Sequence, residues 1–112
     1  MDFKMKNKLT TNQKIRYEKI IEDATVDCKD EDEQISGWES IFENNIITPC
    51  KCIVGKDEAS LEEIRQDEHL PSILGVIRIN NKKIRTPIQD IVLEDSNMNE
   101  YIEAYKYWMR NW

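Results

Sequence analysis

The stretch DEDEQISGWESIFEN, residues 30–44, holds the side chains best suited to chemistry. Counted from Asp32, it sets Asp32, Gln34, Ser36, Gly37 and Glu43 at the first, third, fifth, sixth and twelfth places. That is nearly the spacing of an EF-hand loop, in which oxygen ligands curl around one calcium ion. The fit fails at two places: the third wants a short oxygen ligand and the eighth an apolar residue, and here they are Gln34 and Glu39. Ile35, Trp38, Ile41 and Phe42 instead recur at three- and four-residue steps, the pattern of an amphipathic helix with one stripe on a core. On such a helix Asp32, Ser36, Glu39 and Glu43 share a narrow face opposite that stripe. Like charges stacked at these steps repel by roughly 0.2–0.5 kcal/mol per pair. A hard divalent cation would relieve the repulsion, and a solvated acidic face with no site is the alternative.

Other chemistry is sparse. Cys50 and Cys52 lie two apart in an expected strand, so they share a face and could be half of a zinc site, which needs four ligands. Buried thiols acting as small hydrophobic groups are the alternative. With Cys28 the count is three, an odd number without a disulfide framework, which suits a reducing, cytoplasmic setting. The single histidine, His69, sits in DEHLP, an expected loop with no nucleophile turn beside it, and three glycines leave little scope for a phosphate-binding loop. An enzyme is not expected.

The elements that position these residues follow from the periodicity. A chain of 112 residues makes one domain with one core and leaves no room for a separate catalytic domain. Residues 12–24 predict a first helix, capped by Thr11 or Asn12, with Ile15, Tyr17, Ile20, Ile21 and Ala24 toward one side. The second helix is the acidic one. Beyond it the period becomes alternating: PCKCIV (49–54), SILGVIRIN (72–80) and KKIRTPI (82–88) read as strands, with a tight turn at Asn80-Asn81. TPIQDIVLED reads as a strand end, a short helical turn and another strand, an order common in small SH3-like barrels. GKDEASLEEIRQDEHLP, between the first two strands, reads as a loop with one helical turn and a second acidic patch that includes Glu62 and Glu63. The last helix is expected from about Asn97, with Asn97 as cap, Glu100 as capping-box partner and two apolar stripes: Met98, Ile102, Tyr105 and Met109, and Tyr101, Trp108 and Trp112. The expected architecture is α+β: a small, partly open SH3-like barrel with two N-terminal helices and one C-terminal helix. Residues 1–11 form a flexible basic arm and 12–112 the domain.

Charge narrows the partners. The net charge is -6, and the acids gather between Glu22 and Glu43, where only Lys29 opposes them. Such a field repels nucleic acid and attracts cations. No stretch approaches the length of a membrane span. A protein partner on the aromatic C-terminal helix, with no metal involved, is the rival to ion binding.

Taken together, IIEDA in the first helix, EQISGW, FEN, ITPCKC, TPIQDI and the terminal EAYKYW resemble the CcbP-like family of small calcium-binding proteins, over residues 15–108. The most specific parts are Glu33-Gln34, Gly37-Trp38, Pro49, Thr86-Pro87-Ile88 and Tyr107-Trp108. The resemblance implies calcium buffering or sequestration by acidic surface residues without an EF-hand, on a mixed helix and strand fold. It places Glu43-Asn44 where the family typically has Glu-Asp, so one ligand here is neutral. The longer acidic run from Asp27 to Glu33 could compensate. The expected calcium ligands are therefore Asp32, Glu39, Glu43, Asn44 and Asp27, with Asp23 and the loop acids as further candidates. Magnesium is less expected, because it gives up water reluctantly and demands octahedral geometry.

Overall fold

The computed structural model describes residues 9–110. The basic arm expected over residues 1–11 therefore lies, for residues 1–8, outside the described residues, as does Trp112.

Helix α1 spans Thr11–Thr25 and opens on a capping box in which Thr10 Oγ1 accepts from Gln13 N and Gln13 Oε1 accepts from Thr10 N. The cap is thus Thr10, one residue ahead of the expected pair, because Gln13 stands at the third helical place where it can reach back. Helix α2 spans Glu31–Asn45, runs unbroken through Gly37, and is capped by Asp30, whose Oδ1 accepts from Glu33 N. Three acids in its first turn suit the positive end of the helix dipole. The turn between the helices places Asp27 in the left-handed region, at φ 60.

Five strands follow, β1 (Cys50–Val54), β2 (Asp57–Gln66), β3 (Ile73–Ile79), β4 (Lys82–Pro87) and β5 (Ile91–Leu93), with a short 3₁₀ turn at Ile88–Asp90. They form one antiparallel sheet in the order β4-β3-β2-β1-β5, and its two outer strands do not pair with each other. The sheet is therefore open. Asn80 and Asn81 make the β3–β4 turn with φ 50 and 67, the left-handed pair that a two-residue hairpin needs.

Strand β2 corrects the sequence reading of this segment as a loop with one helical turn. Its ten residues carry a β-bulge between Leu61 and Glu63, so the two buried apolar residues, Leu61 and Ile64, stand three apart. A bulge adds one residue and turns a two-residue period into a helical-looking step. The acids at its exposed positions hid the strand further.

Helix α3 spans Ser96–Arg110. Asp95, not Asn97, caps it: Asp95 Oδ1 accepts from Met98 N, while Asn99 Oδ1 reaches back to accept from Leu93 N in β5. Helices α2 and α3 pack on one face of the sheet and α1 packs across those two helices; Cys52, Leu61, Ile64, Ile73, Ile77, Ile91 and Leu93 join Tyr17, Ile21, Ile35, Trp38, Phe42 and Ile102 in one core. At its centre Trp38, Phe42, Tyr105 and Trp108 stack with ring centroids 5.2–5.8 Å apart, in tilted and edge-on arrangements.

Candidate metal centre

The acidic face of α2 is built as the helical reading expects. Asp32, Ser36 and Glu43 are exposed and Glu39 is half-buried, while Ile35, Trp38 and Phe42 point into the core. The residues counted as an EF-hand loop lie inside this helix. Eleven residues at about 1.5 Å rise separate Asp32 from Glu43 by about 16 Å. One ion cannot bridge that span, so the five expected ligands divide into groups.

Glu39 is anchored to the sheet. The Gln66 side-chain amide of β2 donates to Glu39 Oε1 at 2.9 Å and to Ser36 Oγ at 3.2 Å. Asp27 and Asp32 stay at the α1–α2 end, both exposed. Glu43 and Asn44 occupy the last turn of α2, which contains no basic residue. The final carbonyls of a helix lack intrahelical partners and carry the negative end of its dipole, so this end favours a cation.

At that end Glu43 meets residues from the next part of the chain. A cavity of about 290 Å³ is lined by Glu43, Thr48, Glu62 and Glu63, with Ile46 and Ile64 as its apolar part. Glu62 and Glu63 belong to the bulge of β2, a segment whose sequence pattern alone reads as acids in a loop with one helical turn. Arg78 Nε donates to Glu62 Oε2 at 3.0 Å, and Lys83 Nζ stands 3.8 Å from Glu62 Oε1. The hydrogen bond from Arg78, with the two nearby cations, holds the Glu62 carboxyl below the usual glutamate range. Among the described residues, no three Asp, Glu, His or Cys side chains already converge at ligand distance. Closing the cavity on an ion requires carboxylates to change rotamer.

The other expected chemistry sits elsewhere. Burial pushes the Cys52 thiol up to about 11, with Cys50 beside it adding to the rise. Cys50 is raised by burial first and by Asp95 second. Cys28 lies in the α1–α2 turn with its Sγ 3.3 Å from the Glu33 carbonyl oxygen. His69 lies in the β2–β3 connection, where its backbone N and that of Leu70 donate to Asp67 Oδ1 at 2.7 and 3.1 Å. Those two bonds hold the Asp67 carboxyl low. Of the aromatic residues expected to offer a partner surface, Tyr105 and Trp108 are 1% and 7% exposed and are taken up by the core.

Comparison with known proteins agrees with the fold. The CcbP family, described as calcium binding, matches residues 18–109. Two solved structures, each 16% identical, superpose over 91% of this chain and 92% of theirs. A calcium-binding protein in its calcium-binding form gives a TM-score of 0.71, and CcbP from Anabaena gives 0.69. No curated protein sequence matches the chain.

Proposed function

Because the chain belongs to the CcbP family of calcium-binding proteins, we propose that it binds Ca²⁺ through surface carboxylates, without an EF-hand, and buffers or sequesters the ion. The observation that carries this reading is the C-terminal end of α2, where Glu43 and Asn44 sit at the negative pole of the helix and Glu43 shares a cavity with Glu62, Glu63 and Thr48. Calcium takes six to eight oxygens in flexible geometry, and carboxylates, an amide, a hydroxyl and helix-end carbonyls are all oxygen donors.

Glu43 and Asn44 are the primary ligands in this proposal. Glu39, one turn earlier, contributes charge while its carboxylate stays on Gln66. Asp27 and Asp32 form a second, weaker attraction at the other end of α2. Because Glu62 is shared with Arg78 and Lys83, and the ligands must first reorient, affinity falls at the weak end of the calcium range, roughly 10 µM to 1 mM. The role is binding, not catalysis, and the free thiols fit a cytoplasmic setting. The strand order, with the 3₁₀ turn between β4 and β5, supports reading the sheet as an opened SH3-like barrel.

The test is calorimetric titration of metal-stripped protein with calcium, at physiological salt and with millimolar magnesium present. Saturable binding that weakens in Glu43→Gln and Asn44→Ala supports the reading. No heat, and no rise of melting temperature with calcium, leaves the acids as a solvated face and ends the proposal.

A further inference from the structure

The face of the sheet turned away from the helices carries a row of side chains that no sequence pattern joins. Lys51 of β1 lies directly opposite Ser60 of β2, Ser60 opposite Arg78 of β3, and Arg78 opposite Lys83 of β4. Directly opposed residues of antiparallel strands point to the same face, so the four form one line across four strands. Lys51, Arg78 and Lys83 are exposed and Ser60 is half-buried between the first two. Opposed like charges destabilise a sheet, yet Arg78 and Lys83 face each other and share the single carboxylate of Glu62. Lys51, Arg78 and Lys83 against Glu62 leave this line itself positive within a chain of net charge -6, while Glu58 and Glu94 stand beside Lys51 and Arg78 in the groove it enters.

The line runs into a groove of about 560 Å³, a volume in the range of small-molecule sites. Lys51, Ser60 and Arg78 line it together with Asn80 and Asn81 of the hairpin turn. With strands about 4.8 Å apart, the Lys51 and Arg78 backbones flank Ser60 at about 10 Å from each other. Two side chains of that length are long enough to reach a tetrahedral anion above the Ser60 hydroxyl from either side. Arg78 engages Glu62 through Nε, one of its five donors, which leaves the guanidinium edge for a second acceptor. Glu58 and Glu94 line the same groove, and Glu58 shares the face of Ser60 two residues along β2. Carboxylates there accept hydrogen bonds from hydroxyls.

We propose that this groove binds a small hydroxylated phosphate monoester, its phosphate held by Lys51, Ser60 and Arg78 and its hydroxyls by Glu58, Glu94 and the turn asparagines. The inference does not rest on calcium binding, although Glu62, which lines the cavity beside Glu43, also holds Arg78.

The experiment follows backbone amide shifts by NMR in the presence of chelator, with glucose 6-phosphate, glucose and inorganic phosphate as separate probes. Saturable shifts centred on Lys51, Ser60 and Arg78 with the ester, weaker ones with inorganic phosphate and none with glucose are expected. Lys51→Gln and Ser60→Ala should each weaken the ester by about tenfold, the loss of a hydrogen bond to a charged group. Their melting temperatures should match the parent, because both side chains lie outside the core. Non-saturating shifts, or equal affinity in Lys51→Gln and the parent, overturn the proposal. Equal affinity for inorganic phosphate overturns the ester as ligand.

Discussion

Gly37 of α2 lies directly against the backbone carbonyl oxygen of Ala24 in α1, so close that a Cβ at residue 37 would overlap the oxygen. The obstacle is backbone, and Ala24 is itself buried, so neither helix can yield by turning a side chain. Gly37→Ala is expected to force α1 and α2 apart and to cost about 3 kcal/mol or more, at the upper end for overpacking. Denaturant unfolding measures it. A loss below about 1 kcal/mol would show that the helices reseat freely.

Asn44 is the neutral member of the proposed calcium pair. Asn44→Asp adds a carboxylate at the end of α2, where one negative charge about 4 Å from a divalent ion in water is worth about 2 kcal/mol. Calcium should bind about thirtyfold more tightly in calorimetry, and the variant without calcium should melt lower, since an anion at the helix C-terminus opposes the dipole. Unchanged affinity would move the site away from Asn44.

Acid should unfold the domain partly through Glu62 and Asp67. Both carboxyls are held below their ordinary values, Glu62 first by its hydrogen bond from Arg78 and Asp67 first by the backbone N–H of His69. A carboxyl depressed in the folded state adds stability above its unfolded pKa and loses it as pH falls through the folded one. Melting temperature is expected to decline below the ordinary carboxylate range, and less steeply in Asp67→Asn. Equal slopes for the two proteins would remove Asp67 from the account.

The thiols should be slow to react. Cys52, at about 11, is ionised to about one part in a thousand at pH 8, and thiolate is the reactive form. Iodoacetamide at that pH should label Cys52 only after denaturation, while Cys28 and Cys50, also raised but less buried, label slowly in the native protein. Rapid native labelling of Cys52 would mean that β1 opens.

Much of this was legible in the sequence. The stripe of Ile35, Trp38 and Phe42 fixed both the acidic helix and its exposed face, and Asn80-Asn81 marked the hairpin. Strand β2 was hidden because its bulge set Leu61 and Ile64 at a helical step and its other positions are mostly charged or polar. The cavity beside Glu43 was hidden for the same reason: Glu62 and Glu63 could be placed only once β2 was a strand. The helix caps were misplaced by one or two residues because Thr10 and Asp95 stand next to other plausible caps, and only backbone geometry selects between neighbours. The cationic line on the outer face depends on register across four strands, which no local pattern encodes.

The open sheet leaves β4 with one side unpaired. Lys82, Lys83, Ile84 and Arg85 are all exposed along that strand, and Pro87 closes it. An unpaired strand edge is a template for another chain, and an apolar one seeds aggregates. Here a second molecule approaching edge to edge would bring its own Lys82, Lys83 and Arg85 against the same three, and Pro87 withholds an amide hydrogen. The domain can leave its sheet unclosed and still resist pairing with a second copy along β4.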